Sequence, residues 1–363
     1  MQILGAAQQR DDALLLCVGQ PATGAPQPVI DQAHYWLDRH PLGYTATLGI
    51  PELREKIATW HAHTYGVTTQ TKNVVVTTGS SGGFVALFLA TLNPGDTIAM
   101  TRPGYPAYRN ALHALGVNII DLPCGPETRY QPTAQMLDEL AEKPRAVIIT
   151  SPNNPTGTII DPAELERIAR WCDFNDCLLI SDEIYHGITY GRSCATARSY
   201  SDNAVVVGSL SKYFSMTGWR LGWLIVPDEL VEPLENLEAN LALCPPALSQ
   251  YAALGVFDEA ALLSVEKHVE SYAESREILL EELPKLGLST FAPPDGGFYF
   301  WVDISQLTDD SERWCAELLD ATGVAVAPGV DFDPVSGQEY VRISFCVAPQ
   351  TVQAACTRLQ QYL

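Results

Sequence analysis

The stretch "GSLSKYFSMTGWRLGW" (208–223) sets two cations, Lys212 and Arg220, among serine, glycine and aromatic residues. A solvated lysine needs no such surroundings. A lysine held out of water beside another cation gives up its proton more readily, and its free amine is then a nucleophile. Three other segments carry polar residues that suit chemistry. "TTGSSGGF" (77–84) is made of small residues whose backbone amides can close on an anion at a helix N-terminus. It lacks the Gly-Lys-Ser ending of a P-loop and the spacing of a dinucleotide fingerprint. "SPNNPTG" (151–157) is a stiff turn in which two prolines flank two asparagines, with Asn154 held as a donor to a ligand oxygen. "SDEIY" (181–185) places Asp182 at the end of an apolar run, where a carboxylate is costly unless a cation or donor meets it. Each segment alone is also compatible with a plain turn, a helix cap or a solvated side chain.

The elements around these segments share one pattern. "NVVVTTG" (73–79), "GDTIAM" (95–100), "PRAVIITSP" (144–152), "CLLISDEIY" (177–185) and "NAVVVGSLSK" (203–212) read as apolar strands. Helix patterns at "FVALFLATL" (84–92), "YPAYRNALHALG" (105–116) and "PAELERIARWCDFN" (162–175) separate them. Such alternation predicts an α/β fold with a mostly parallel sheet covered on both faces. Ligands of these sheets sit beyond the carboxyl ends of the strands. After about residue 225 the pattern changes to a long charged helix, "SVEKHVESYAESREILLEELPKLG", and short strands at "GGFYFWVDI", "VAVAPG" and "YVRISF". We expect a large domain over 37–254 and a smaller α+β domain made of 1–36 with 255–363.

Composition narrows the function classes. The 363 residues are 47% hydrophobic and 18% charged, as in a globular enzyme, and carry a net charge of −21, which repels nucleic acid. Nine cysteines with no CxxC pair argue against a zinc site or disulfide framework and for reduced thiols in a cytoplasm. The N-terminus lacks the basic start and apolar run of a signal peptide, and no apolar stretch reaches membrane-spanning length. His61 and His63, two apart, would diverge on a helix, so no metal site is expected.

Taken together, "GYTATLGIPELREKIA" (43–58), "PGYPAY" (103–108), "SPNNPTG", "SDEIY", "SLSKYFSMTGWRLGW" and "VRISF" (341–345) resemble the class I/II aminotransferases, the aspartate aminotransferase-like enzymes of pyridoxal 5′-phosphate (PLP) fold type I. The resemblance runs through nearly the whole chain and implies a seven-stranded-type sheet in the large domain. Lys212 resembles the family's Schiff-base lysine, which then moves the substrate's Cα proton. Asp182 resembles the partner of the cofactor's ring nitrogen. Tyr185 and Asn154 match the donors to its phenolic oxygen, and Tyr105 the residue stacked on its ring. Ser80, Ser81, the Gly82 amide, Ser209, Ser211 and Arg220 match the phosphate grip. Tyr44 resembles a tyrosine that reaches the neighbouring subunit's phosphate, which implies a homodimer with shared active sites. Gly19, Asn154 and Arg342 match the substrate side, with Arg342 clamping the α-carboxylate.

The implied reaction moves an amino group from an L-amino acid to a 2-oxo acid in a ping-pong cycle. A neutral donor is expected, because Ala239 stands where some aspartate-specific relatives carry an arginine, and the pocket candidates Leu16, Tyr105 and Cys244 are uncharged. The alternative is a PLP-dependent C–S β-lyase on the same scaffold. A PLP-binding regulator would need a basic DNA-binding module, which this acidic sequence lacks. Sixteen residues precede "CVGQP", fewer than in many relatives, and this leaves the part of an N-terminal arm in the dimer open.

Overall fold

The structure is a computed structural model describing residues 2–363. The chain opens with helix α1 (Gln2–Ala7) and the two-residue strand β1 (Leu14–Leu15). Helices α2 (Gln27–Arg39) and α3 (Pro51–Tyr65) follow, each with a proline in its first two positions, where a missing N–H costs nothing. Strands and helices then alternate: β2 (Val74–Thr77), α4 (Gly79–Thr91), β3 (Thr97–Arg102), α5 (Pro106–Ala114), β4 (Asn118–Pro123), α6 (Ala134–Asp138), β5 (Ala146–Thr150), α7 (Pro162–Phe174), β6 (Leu178–Asp182), β7 (Val205–Ser209) and β8 (Gly222–Ile225).

The seven strands form one sheet in the order β2-β8-β7-β6-β5-β3-β4. All pairs from β7 to β4 are parallel, and β8 runs antiparallel to both β2 and β7. Successive side chains alternate between two apolar layers. Val74, Val76, Val147, Ile149 and Val206 join Leu53 and Ile57 of α3 and Leu165 and Ile168 of α7. Val75, Ile148, Ile180 and Val207 join Phe84, Leu87 and Phe88 of α4. Burial on both faces explains why these strands are apolar throughout.

Two strands of this sheet went unseen in the sequence. β4 is an edge strand with a half-exposed pattern, and β8 lies inside the segment that reads as a site. The run 203–212 also stops being strand at Ser209, so Lys212 stands in the turn beyond it.

The remainder comprises α8 (Asp228–Leu241), α9 (Ala247–Ala253), the 27-residue α10 (Glu259–Lys285), β9 (Tyr299–Asp303), α11 (Ser311–Thr322), β10 (Val324–Ala325), β11 (Ala327–Pro328), β12 (Tyr340–Ser344) and α12 (Pro349–Gln360). An antiparallel sheet in the order β11-β12-β9 and the parallel pair β1-β10 complete the fold. The β1-β10 pair ties the N-terminal segment to the C-terminal elements. Among the described residues, no helix is long and apolar enough to cross a membrane.

Candidate active site

β5 and β6 end in register, with Thr150 opposite Asp182. Beyond these carboxyl ends lies a cavity of about 560 Å³. The turn after β7 brings Lys212 to it, the turn after β5 brings Asn154, and the N-terminus of α4 brings Ser80 and Ser81. Tyr105, Tyr185, Ser211, Arg220, Gly19 and Arg342 also face it.

Lys212 Nζ donates to the Gly19 carbonyl at 2.6 Å. Burial lowers its pKa to about 8, and the nearby cations Arg342 and Arg220 push the same way. Asp182 is 1% exposed. Its carboxylate accepts the Tyr108 hydroxyl proton and the Ile184 N–H, the latter at 3.2 Å. Burial raises its pKa to about 6, against those two bonds and the attraction of Lys212. The Tyr185 hydroxyl lies 3.0 Å from that of Tyr299, and burial holds the Tyr185 phenol well above its ordinary pKa.

Arg342 reaches the same cavity from β12. It donates from NH1 to Asn154 Oδ1 at 2.9 Å and from NH2 to the Cys17 carbonyl at 2.6 Å. Its Nε is buried and has no partner. A buried donor left unpaired is expensive unless a ligand meets it. The guanidinium carbon lies 4.3 Å from the Tyr299 ring centroid and 4.4 Å from that of Phe332.

Arg220 is in left-handed conformation (φ 53°) and donates from NH1 to the Thr217 carbonyl at 3.0 Å. A Cβ on Gly79 would meet Arg220 NH2 at 2.4 Å, and Gly79 itself has φ +68°. The left-handed backbone favours glycine at this position, and a Cβ there would displace the guanidinium that lies beside the first turn of α4. The amides of that turn have no intrahelical acceptor. A planar cation over unpaired amides is a receptor for a phosphate or another oxyanion.

Three expected residues lie outside this wall. Ser209 Oγ accepts the Ser211 N–H at 3.0 Å and shapes the turn that carries Lys212. Gly82 lies within α4. Tyr44 is 85% exposed in the loop before α3. Of the uncharged pocket candidates only Tyr105 faces the cavity. Leu16 is buried in the core. Cys244 follows α8 and accepts the Thr45 N–H at 3.4 Å. Ala239 sits on α8 away from the cavity. The apolar wall is built instead by Ile3, Leu4, Val18, Val85 and Ala107.

Sequence reading also missed Tyr108, Tyr299 and Phe332. Tyr108 follows Tyr105 by three residues, a spacing that puts both on one face of a helix, so a signal existed. Tyr299 sits in "FYFW" and reads as core. Phe332 and α1 carried no signal.

Comparison with known proteins shows the family. The chain belongs to the class I and II aminotransferase family, whose model matches residues 11–359. It is 48% identical to a valine–pyruvate aminotransferase of Mycobacterium tuberculosis, over 99% of this chain and 94% of that one. It is 31% identical to an aspartate/prephenate aminotransferase of Thermus thermophilus, over 98% and 92%. The crystal structure of an aminotransferase from Mycobacterium tuberculosis superposes with a TM-score of 0.98 at 48% identity, over 100% of this chain and 95% of the other. The Thermus thermophilus aspartate aminotransferase with maleate gives 0.94 at 31% identity, over 100% and 94%. The chain is therefore an aminotransferase, moving an amino group from an amino acid to a 2-oxo acid.

Proposed function

We propose that this aminotransferase uses PLP held by Lys212, takes its amine from a neutral L-amino acid and passes it to pyruvate or another 2-oxo acid in a ping-pong cycle. The observation that carries this reading is Lys212, an amine poised near neutrality in the same cavity as a buried carboxylate and an arginine with an unpaired Nε.

The residues fit PLP. Arg220, Ser80, Ser81 and Ser211 would hold the phosphate, and Gly79 supplies the space that this requires. Asp182, fixed by Tyr108 and the Ile184 N–H, is the anion for the ring nitrogen. Tyr185 and Asn154 stand ready for the phenolic oxygen, and Tyr105 for the ring face. When bound, PLP supplies the electron sink that lets a bond at the donor's Cα break. Lys212 Nζ, once released from the cofactor by the substrate amine, would be the base that takes and holds the Cα proton. Arg342 orients the donor through its α-carboxylate, using the free Nε. The apolar wall excludes water from the proton path.

Donor choice follows from charge. Among the described residues the cavity's cations are Lys212, Arg220 and Arg342, and each is engaged by the cofactor or the α-carboxylate in this reading. A second substrate carboxylate would be desolvated without a partner, at a cost of several kcal/mol. The valine–pyruvate relative agrees with this preference.

The active unit is proposed to be a homodimer in which Tyr44 serves the neighbouring subunit's phosphate. Exposed Leu42, Tyr44, Leu241 and Leu243 support a covered face, since the Thr45–Cys244 bond brings their two loops together. The division into 37–254 and 1–36 with 255–363 is retained as a proposal, although residue 37 lies within α2. All nine cysteines are free, which suits the cytoplasm.

The test is a half-reaction. Valine, alanine, methionine and phenylalanine should each convert the holoenzyme's visible absorbance and release the matching 2-oxo acid, with kcat/KM above that for aspartate. Borohydride reduction should place the cofactor on Lys212. Label on another lysine, a tenfold preference for aspartate, or pyruvate and ammonia released from a cysteine conjugate would overturn the reading.

A further inference from the structure

Several residues already placed at the site converge on one side chain that has no role so far. Tyr299, in β9, is 1% exposed and lines the cavity. Its hydroxyl pairs with that of Tyr185 at 3.0 Å. Its ring underlies Arg342 at 4.3 Å. A Cβ on Gly19 would fall 1.7 Å from the Tyr299 oxygen, so Gly19 is glycine because Tyr299 fills the space of a side chain. The Gly19 carbonyl in turn receives Lys212 Nζ.

Two hydroxyls that share one hydrogen bond have one donor between them. The hydroxyl that accepts keeps its own proton for another partner. Either hydroxyl could donate, and Arg342 acts to lower the pKa of both phenols, but its guanidinium lies against the Tyr299 ring, which favours Tyr299 as the donor. Burial raises its pKa to about 12 while Arg342 opposes the rise, and Tyr185 is held well above its ordinary value. The Tyr185 proton is then free to point into the cavity.

We propose that Tyr299 is a positioning residue that donates to Tyr185, so that Tyr185 donates to the ligand, and whose ring sets the plane of the Arg342 guanidinium. This rests on the reading of Tyr185 as a donor to the cofactor's phenolic oxygen and of Arg342 as the carboxylate clamp. A hydroxyl that accepts a hydrogen bond becomes a stronger donor. Tyr299 therefore acts on the cofactor through Tyr185 and on the substrate through Arg342, and the two effects separate by mutation.

Tyr299→Phe removes one oxygen and keeps the ring. A donor on the phenolic oxygen draws down the pH at which the bound cofactor's visible absorbance changes, and a weaker donor lets it rise. Tyr185→Phe should raise that pH clearly. Tyr299→Phe should raise it by about 0.5, the share of one hydrogen bond that a cooperative donor supplies. Inhibition of the holoenzyme by isovalerate, a simple monocarboxylate, should be unchanged in Tyr299→Phe and about fivefold weaker in Tyr299→Leu, which loses the aromatic face.

If Tyr185→Phe moves the titration and Tyr299→Phe does not, the proposal is overturned while the reading of Tyr185 stands. If neither moves it, the reading of Tyr185 fails and takes the proposal with it. Equal inhibition of the Phe and Leu variants overturns the role of the ring. Should Tyr299→Leu not fold, the titration of Tyr299→Phe decides alone.

Discussion

In the cofactor-free enzyme, Lys212 should titrate far below an ordinary solvated lysine. Burial, aided by Arg342 and Arg220, brings it from 10.5 to about 8. At pH 7.5 about a quarter of the molecules then carry a neutral amine there, against about one in a thousand for a solvated lysine. The difference corresponds to about 3 kcal/mol, which is available to the attack of the amine on an aldehyde. Trace reductive methylation with formaldehyde and cyanoborohydride, run from pH 6 to 11 and read by peptide mass, measures it. Formaldehyde is small enough for the 560 Å³ cavity. The labelling of Lys212 should reach its midpoint near pH 8. Lys285, raised to about 12 by its hydrogen bonds to Glu281 and Glu282, should label only above pH 10. Arg342→Gln removes a cation and should move the Lys212 midpoint upward. A Lys212 midpoint at 10 or above would refute the argument, because burial would then not be setting the charge of this amine.

Asp182→Asn should retain the fold and lower kcat by about 10²–10³, the usual effect of losing one preorganised charge; near-native turnover would remove Asp182 from its role. Glu183 is a separate case of buried charge. Burial raises it to about 8, while its carboxylate accepts from the Ala197 N–H, Thr196 and Ser181. Its folded pKa lies above the unfolded 4.5, so its contribution to stability is complete below pH 4.5 and is lost as pH rises to about 8. Glu183→Gln keeps an acceptor oxygen and removes the titration. Its stability relative to wild type should therefore improve from pH 5 to pH 9, by at most about 5 kcal/mol, and a pH-independent difference in denaturation midpoints would refute the assignment. Mixing Lys212→Ala with Tyr44→Phe should regenerate activity in hybrid dimers, each with one intact site; hybrids that form without regaining activity would show that Tyr44 serves its own subunit.

The candidate site was legible in the sequence wherever it depends on a short segment at a strand end. Lys212, Asp182, Asn154 and Arg220 stood out as candidates because polar residues beside apolar runs are costly, their roles came only from the family resemblance, and the fold brings all four to one cavity. The parallel core was legible because strands buried on both faces must be apolar throughout, as β5 and β7 are. β4 was not, since an edge strand loses that signature, and β8 was hidden because it begins inside the segment 208–223 that reads as a site. Tyr299 was invisible for a related reason. A tyrosine between two phenylalanines reads as core, and only the β9–β12 pairing places its hydroxyl against Tyr185 and its ring under Arg342. The pocket wall was misassigned to Leu16 and Cys244 because lining depends on which way a side chain faces after distant segments pack. Folding turned Leu16 into the core and brought Ile3 and Leu4 of α1 to the cavity. The sequence could thus single out the candidate residues that the fold gathers at one cavity, because that depends on residue type and local spacing. Only tertiary structure could decide what surrounds them, because that depends on contacts between residues far apart in the chain.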